Sequence, residues 1–246
     1  HLHGDHIIGL IGLLSTMGNS GKVNDLTIVG PRGIIEAMKA IKVLIEYLPY
    51  NLKIIEDPKD TFSLEDHPIL KELEISTLEL DHSTECLGYS LYFKRTPKFN
   101  VQKAKKNNVP QVLWNKLQKT DSIFYDRKMY TSDMVLGGDR KGIKLSFITD
   151  TRFLLTIPDF IRDSDLFVCE GMYGDDMDIS KAVKNKHMTF NEAASLASLG
   201  NVKQLLLTHF SPSLETPHAY LNNATRIFPN TIIGEDRLSL SLNYED

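Results

Sequence analysis

The sequence predicts an α/β layered fold, and its length and its pattern both point to this class. Apolar runs of strand length alternate with helical segments along the chain, as they do when sheets and helices form layers. At 246 residues, the chain is long enough for one large domain or two small ones with a substantial core. The sequence contains no internal repeat and no low-complexity run.

The first half of the chain is predicted to contain two helices and four strands. An apolar helix over 7–18 follows the opening residues, and the first strand covers 26–30. A second helix is predicted over 31–48, with Pro31 at its first position, where a missing N–H has no energetic cost. The apolar runs that follow predict strands at 52–56, 73–82 and 87–93.

The second half contains a lysine-rich segment and then further strands. Two short helices are predicted on either side of the sequence NNVPQ at 107–111. Strands are predicted at 144–150, 166–170 and 204–210, and the run 231–242 closes the chain.

The opening sequence HLHGDH places three histidines and an aspartate in six positions. Neutral imidazole and carboxylate are ligands that a borderline divalent metal prefers. His1 and His3 point to the same side of an extended strand end. Asp5 and His6 follow in a turn that Gly4 allows, so they can face a second point in space. One loop could therefore supply ligands to two metal ions; the alternative is a tag remnant or a polar surface loop.

The cluster begins at the first residue of the sequence, and this position bears on whether the chain is truncated. Ligands of this kind normally follow a buried strand, and no strand precedes His1 in the sequence. We therefore expect an N-terminally truncated chain, or the product of an incomplete gene, that lacks this strand.

Three predicted strands end at a possible metal ligand. These residues are His82, Asp150 and His209. Ligands at strand ends converge along one rim of a sheet, where the loops lie, although any one of them could be an incidental polar residue. With the opening cluster, the candidate ligands are His1, His3, Asp5, His6, His82, Asp150 and His209. Seven ligands are enough for two metals with a bridging carboxylate, which can activate a shared water.

The charge distribution favours a polyanionic partner, although the formal net charge is −4. The stretch 86–120 has no acidic residue, yet it contains Lys94, Arg95, Lys98, Lys103, Lys105, Lys106, Lys116 and Lys119. One positive segment on an acidic chain is typical of a polyanion-binding surface. The alternative is a solvated pair of amphipathic helices.

Cysteine content and hydropathy indicate the cellular compartment of the protein. Two cysteines, Cys86 and Cys169, are too few for a disulfide framework, which favours a reducing cytoplasm. Cys86 lies near a candidate ligand in the sequence, and we expect it to be a buried free thiol. No apolar run approaches the roughly 18 residues of a membrane span, and no signal peptide is visible, so no membrane partner is expected.

Four motifs, HLHGDH, LDHS, ITDTR and LLTHFS, resemble in order and spacing those of the metallo-β-lactamase superfamily. More narrowly, they resemble the ribonuclease Z family, endonucleases that mature the 3′ end of transfer RNA. The resemblance implies a four-layer αβ/βα sandwich, incomplete at its N-terminus. It also implies two zinc ions, with manganese as a possible substitute. His1, His3 and His82 would hold one zinc, Asp5, His6 and His209 the other, and Asp150 would bridge them.

Two further stretches resemble this family's catalytic loops. Glu170 in VCEGMYGDD matches the acidic position of a His-Glu-Ala-Thr loop, with Cys169 in place of the histidine. His187 and Thr189 in KHMTFNEAASLA match a His-Ser-Thr motif that precedes a helix. The resemblance implies that His187 protonates the leaving oxygen, oriented by Glu170, and that Asp5 orients the attacking water. The alternative for His187 is a capping or surface histidine.

The lysine-rich segment resembles the arm with which bacterial members of the family grip transfer RNA. The resemblance implies a metallo-β-lactamase domain at 1–94 and 121–246, with a helical RNA-binding arm at 95–120 inserted in it. The candidate RNA-binding residues are Lys98, Lys103, Lys105, Lys106, Lys116 and Lys119. The chain departs from the family at 111–114, where a Gly-Pro step is usual. Trp114 could pack in the arm's core or stack on a base, and we predict core packing.

The resemblance implies a zinc-dependent endoribonuclease that removes the 3′ trailer from precursor transfer RNA, acting in the cytoplasm as a homodimer. Two alternatives remain: another hydrolase of the superfamily, such as a thioesterase or lactonase, or an inactive truncated fragment. His67 and His218 match none of the motifs, and we expect them at the surface.

Overall fold

The computed structural model describes residues 1–45, 47–64 and 70–245, which form two compact units. The first unit comprises His1–Tyr92 and Lys144–Leu242, and the second comprises Phe93–Ile143 with the chain from Asn243 onward. His67 lies outside the described residues. No helix in the described ranges is long and apolar enough to cross a membrane.

The first unit begins with a small layer of helices and two strands. Helices α1 (Gly4–Ile7) and α2 (Gly9–Asn19) precede β1 (Leu26–Gly30), and α3 (Ile34–Val43) leads to β2 (Leu52–Glu56). Strands β1 and β2 pair in parallel. Buried apolar side chains from α2 and α3, among them Leu14 and Met38, form a core with partly buried side chains of both strands.

Helix α3 begins three residues later than predicted. Gly33 caps its N-terminus with φ +95°, a left-handed conformation that glycine adopts without steric cost. Pro31 therefore lies in the turn before the helix, where its carbonyl oxygen accepts a hydrogen bond from the Ile34 N–H at 3.1 Å. The prediction of Pro31 as the first helical residue is wrong.

A mixed seven-stranded sheet dominates the first unit. Its strands, in spatial order, are β11 (Thr231–Ile233), β10 (Leu205–Thr208), β9 (Leu166–Glu170), β8 (Arg140–Ile148), β5 (Cys86–Arg95), β4 (Leu73–Leu80) and β3 (Phe62–Ser63). Strands β8 to β11 run parallel to one another, while β3 and β4 are antiparallel. Because β8, β9 and β10 run in the same direction, the residues that follow them meet at one edge of the sheet.

Helices cover one face of this sheet and hold its edge in place. They are α6 (Ile157–Phe160), α7 (Ile179–Asn185), α8 (Phe190–Leu199) and α9 (Leu221–Thr225). Alternate residues of β9 and β10, such as Phe167 and Leu205, are fully buried in a core with Phe190 and Leu196 of α8. Each such side chain contributes about 1.5–3 kcal/mol on burial, so this core fixes where the strands end.

The predicted strands next to the candidate ligands end earlier than expected. Strand β4 ends at Leu80, β8 at Ile148 and β10 at Thr208, so His82, Asp150 and His209 lie just beyond them. Asp150 and His209 have φ values of +45° and +56°, a left-handed conformation that cannot continue a β-ladder. The closing run 231–242 is a strand only over Thr231–Ile233.

The second unit has a core of its own. It contains α4 (Val101–Lys106), α5 (Trp114–Leu117) and a hairpin of β6 (Ser122–Tyr125) and β7 (Lys128–Thr131). The two short helices around NNVPQ are confirmed, whereas the hairpin was not predicted. Trp114 packs against the core: its Nε1 donates to the Val109 carbonyl at 3.0 Å, and its ring centroid lies 5.2 Å from that of Phe99. The predicted core role of Trp114 is confirmed.

Candidate metal centre

The candidate ligands come from four separate places in the first unit. His82 follows β4, Asp150 follows β8 and His209 follows β10, while His1 and His3 precede α1. The Asp150 carboxylate lies at the centre of this cluster and is only 3% exposed.

Asp5 and His6 lie on a helix rather than in the turn that the sequence predicted. Both belong to α1, which begins at Gly4. The carbonyl oxygen of His3 accepts a hydrogen bond from the His6 N–H at 3.0 Å, which closes the first turn. Gly4 is not among the glycines with positive φ in the described chain, so the special turn assigned to it is absent there.

Four imidazoles approach the Asp150 carboxylate. From Oδ2, the Nε2 atoms lie at 3.8 Å for His1, 3.6 Å for His6 and 4.0 Å for His82. His209 Nε2 lies 3.3 Å from Oδ1. A carboxylate whose two oxygens face different histidines has the arrangement that a bridging ligand requires.

The seven predicted ligands form overlapping groups around the Asp150 carboxylate. The ligand atoms of His1, His3 and His82 lie within 4.8 Å of one another, and so do those of His1, His6 and Asp150. Asp5 is more peripheral: its Oδ2 lies 3.6 Å from His6 Nε2, and its side chain is 77% exposed. The structure thus brings all seven to one site, with Asp5 at its solvent edge.

Buried polar atoms that lack a hydrogen-bond partner show whether a metal ion would fit at this site. Among the described side chains, His1 Nε2, Asp150 Oδ1 and His209 Nδ1 are buried without a hydrogen-bond partner. Such atoms are rare in folded proteins, because each costs about 1–3 kcal/mol when left unsatisfied. Burial also lowers the pKa of His82, which keeps its imidazole neutral and able to ligate. The donor set therefore fits divalent cations.

Beside the ligands lies a histidine held by a carboxylate. Glu170 is fully buried at the end of β9; it accepts hydrogen bonds from the Thr151 N–H at 2.7 Å and the Met188 N–H at 3.0 Å. Its Oε1 lies 3.1 Å from His187 Nδ1. Burial alone would lower the pKa of His187, but the hydrogen bond and charge of Glu170, with the charge of Asp150, outweigh it and raise that pKa.

Besides Glu170, which was predicted, two further groups position His187 that sequence reasoning missed. Arg152 donates to the His187 carbonyl oxygen and forms a two-pronged ion pair with Glu192 of α8. Glu192 also closes a capping box with Thr189, whose hydroxyl accepts from the Glu192 N–H at 3.3 Å. The spacing of Thr189 and Glu192 is the sequence signature of that box, and it could have located the helix start.

A lysine connects two of the loops at the site. Lys186, in a left-handed conformation with φ +57°, donates to Asp81 Oδ1 at 2.7 Å and to the His82 carbonyl at 3.0 Å. Its own carbonyl lies 3.3 Å from His82 Nδ1. These contacts fix the His82 ring against the loop that carries His187.

The cluster opens into a cleft with a volume of about 630 Å³. His3, Asp5, His187 and His209 line it, and so do Lys184 and Lys186, whose positive charges suit an anionic substrate. His218 is outside this cleft: its half-exposed ring lies 3.6 Å from Glu235, in line with the surface position predicted for it.

Both cysteines are buried free thiols. Burial raises the pKa of Cys86 to about 11, and it raises that of Cys169 well above its ordinary value. Cys86 Sγ lies 3.9 Å from His1 Nδ1, but a thiol that stays protonated is a poor metal ligand. The expected role of Cys86 as a buried free thiol agrees with this geometry.

The chain was compared with known proteins, and no family model matches it. A curated protein, ribonuclease Z from Clostridioides difficile strain 630, is 66% identical over 246 residues, which are the whole of this chain and 80% of that protein. This chain belongs to the ribonuclease Z family. The predicted family and enzyme class, a hydrolytic endoribonuclease, are therefore confirmed.

Solved structures agree on the fold of this ribonuclease Z-family chain. The short form of human tRNase Z aligns with a TM-score of 0.62 at 20% identity, over 99% of this chain and 77% of that one. YhfI from Bacillus subtilis, a metallo-β-lactamase fold protein, aligns with a TM-score of 0.60 at 18% identity, over 95% and 71%. The predicted metallo-β-lactamase fold is confirmed.

Proposed function

We propose that this ribonuclease Z-family chain is a zinc-dependent endoribonuclease that cuts the 3′ trailer from precursor transfer RNA just after the discriminator base. One observation supports this most strongly. His187, which is held by the buried Glu170, lines the same cleft as the histidine and aspartate donors around Asp150. Family membership supports RNA as the substrate.

The proposed centre holds two zinc ions, for which manganese could substitute. His1, His3 and His82 would bind one, Asp5, His6 and His209 the other, and Asp150 would bridge them. When bound, such ions offset the charge that builds on the phosphoryl oxygens and lower the pKa of a water molecule. The unpaired nitrogens of His1 and His209 support this assignment.

The chain's own residues then orient the water and move one proton. Asp5, at the solvent edge of the cluster, accepts a hydrogen bond from the attacking water and orients it. The oxygen of that water bonds to phosphorus as the bond from phosphorus to the 3′ oxygen breaks, and the protons that the water carries are released from the new phosphate to solvent. His187, held at Nδ1 by Glu170, donates its Nε2 proton to that leaving oxygen. The products are a 3′-hydroxyl on the transfer RNA and a 5′-phosphate on the trailer.

The lysines of the predicted arm would supply affinity without reading sequence. Lys98, Lys103, Lys105, Lys106, Lys116 and Lys119 are all exposed. Contacts of this kind neutralise phosphates and release counterions, so binding weakens as salt increases. We further propose a homodimer, in which the arm of one subunit grips the RNA cut by the other, and a cytoplasmic location, in keeping with two free cysteines.

Mapping the cut on a 3′-extended precursor transfer RNA with zinc present tests this proposal. The chain should cut after the discriminator base and should hydrolyse bis(p-nitrophenyl) phosphate in preference to a thioester. His187→Ala should slow RNA cleavage by about 10²–10⁴-fold, the usual contribution of a general acid. His218→Ala, a matched change at a histidine outside the cleft, should leave cleavage unchanged. Equal rates in the two variants, or an intact RNA with a hydrolysed thioester, would contradict the proposal.

A further inference from the structure

Contacts outside the set of candidate ligands hold the His82 ring in one orientation. The ring is almost fully buried, with Nε2 4.0 Å from Asp150 Oδ2 and Nδ1 3.3 Å from the carbonyl oxygen of Lys186. A carbonyl oxygen only accepts hydrogen bonds, so His82 Nδ1 carries the proton in this contact. The lone pair then lies on Nε2, which faces the Asp150 carboxylate and is the nitrogen that a metal ion there would bind.

The Lys186 backbone that supplies this carbonyl has a conformation that residues with a side chain rarely adopt. Its φ of +57° lies in the left-handed region. The Lys186 ammonium donates to Asp81 Oδ1 at 2.7 Å and to the His82 carbonyl at 3.0 Å. Lys186 thus contacts His82 twice, with its carbonyl at the ring and with its ammonium at the backbone. Loss of the ammonium should therefore allow the carbonyl to move away from the ring.

The partners of Lys186 are held in place by the neighbouring loops. The Asp81 N–H donates to the Thr151 hydroxyl at 3.1 Å, and the Asp81 carbonyl accepts from the Arg152 N–H at 3.0 Å. The Arg152 guanidinium donates in turn to the carbonyl of His187, the residue after Lys186. These contacts form a closed ring through the loops that follow β4 and β8 and the loop that precedes α8. Lys186 is therefore fixed relative to both ligand-bearing loops.

We propose that Lys186 is a positioning residue for the metal centre. Its carbonyl selects the His82 tautomer with a free Nε2, and its ammonium keeps that carbonyl against the ring. Groups that orient a metal-ligating histidine typically change metal affinity by about 10–100-fold when they are removed. This inference rests on the proposed function for the identity of the metal, zinc, and it assigns the control of one ligand to a residue outside the ligand set.

Zinc affinity of the metal-free chain, measured in competition with a chromophoric chelator, tests the role of the ammonium without any RNA. Lys186→Met should weaken one of the two zinc sites by about 10–100-fold and leave the other largely unchanged. Lys186→Arg keeps a donor for both oxygens and should recover most of that loss. The matched control is Lys181→Met on α7. It removes a lysine that pairs with Asp178 at 2.7 Å outside the cleft, and it should leave both affinities unchanged.

Asp81→Asn tests the same contact from its other side, in case Lys186→Met folds poorly. Asparagine keeps an oxygen but lacks the charge that holds the ammonium, so the same zinc site should weaken, but less than in Lys186→Met. The double variant should bind zinc no more weakly than Lys186→Met alone, because both changes remove one interaction. Urea midpoints of the metal-free variants should stay close to that of the unaltered chain, since a half-exposed ion pair adds little stability. A lower midpoint with unchanged zinc affinity would indicate a purely structural role and overturn the inference.

Nitrogen-15 NMR of His82 in the metal-free chain gives a readout that a change in stability would not move. The unaltered chain should carry the His82 proton on Nδ1, whereas Lys186→Met should show both tautomers. A proton on Nε2 in the unaltered chain would overturn the selection of the tautomer. Equal zinc affinities in Lys186→Met and Lys181→Met would overturn the role of the ammonium.

The failure of the proposed function would look different from these outcomes. In that case the unaltered chain would bind zinc and show the expected His82 tautomer, yet it would leave the precursor RNA uncut. A chain that binds no zinc would contradict both proposals together.

Discussion

At the scale of single residues, the site depends on how a buried carboxylate is compensated. Asp150 is 3% exposed and faces the nitrogens of four histidines at 3.3–4.0 Å. A buried carboxylate is costly unless hydrogen bonds or cations compensate its charge, and its Oδ1 has no hydrogen-bond partner among the described residues. The left-handed φ of Asp150 adds strain of a kind that folded proteins keep at functional sites.

Glu170→Gln should test whether the negative charge of Glu170 sets the pKa of His187. Glutamine retains one oxygen, which can still face the Thr151 N–H and His187 Nδ1, but it places an NH2 group against the Met188 N–H and lacks the negative charge that raises the pKa of His187. A general acid works while protonated, so the rate falls as pH rises through that pKa. With the pKa lowered, single-turnover cleavage should lose activity at a lower pH than in the unaltered chain. An unmoved alkaline limb in the pH–rate profile would rule out His187 as the proton donor.

The cluster of candidate ligands could be predicted from sequence because each residue lies next to a strong local signal. His82, Asp150 and His209 follow apolar runs, and the parallel strands β8 and β10 bring Asp150 and His209 to the same edge of the sheet. Arg152 and Lys186 were not predicted, since their partners lie 40 and 105 residues away in the chain and meet them only in the folded structure. Asp5 and His6 lie beside the cluster, but on a helix rather than in the turn that the sequence predicted.

At the scale of elements, α8 both packs the core and positions the loop that carries His187. Its N-cap Thr189 and its Glu192 form a capping box, and Glu192 also holds Arg152 against His187. Five residues of the helix are buried in the sheet's main core, so its N-terminus cannot shift freely. The backbone of His187 is therefore tied to the core that packs against the seven-stranded sheet.

Thr189→Ala should weaken the fold and the chemistry together. Loss of an N-cap hydroxyl costs about 0.5–2 kcal/mol of unfolding free energy, which urea denaturation measures. Cleavage should fall as well, because the loop that carries His187 loses its anchor. Ser195→Ala in the same helix removes a hydroxyl whose one hydrogen bond within the described part of the chain goes to the Asn191 carbonyl, and it should change stability by less than about 0.5 kcal/mol. Equal effects of the two changes would contradict a capping role.

The elements that were not predicted from the sequence lack the residues that usually mark such elements. The hairpin β6–β7 turns at Asp126 and Arg127, both with positive φ. That conformation usually selects Asn-Gly or Asp-Gly, and neither pair is present. The longer strands were found because their apolar runs are strong, whereas the start of α8 was found through the resemblance of its motif to the family's. The late start of α3 follows from the backbone of Gly33, which composition alone does not reveal.

At the scale of the whole molecule, metal binding should be linked to folding. A metal that binds only the folded chain adds about 2.7 kcal/mol of stability when its free concentration is a hundred times its Kd. A thermal melt should therefore move to higher temperature with added zinc and return with chelator. Asp150→Asn should abolish the zinc-dependent shift, whereas the exposed Asp159→Asn should retain it. A melt that does not respond to zinc would exclude a formed metal site.

Restoring zinc to the metal-free chain, with precursor transfer RNA cleavage followed in parallel, tests the central claim most directly. The account predicts that cleavage is absent in chelator, returns as zinc is added and saturates near two zinc ions per chain, with the cut mapped to the position after the discriminator base. Full cleavage of the same RNA by the metal-free chain, or a zinc-restored cut at unrelated positions, would contradict it.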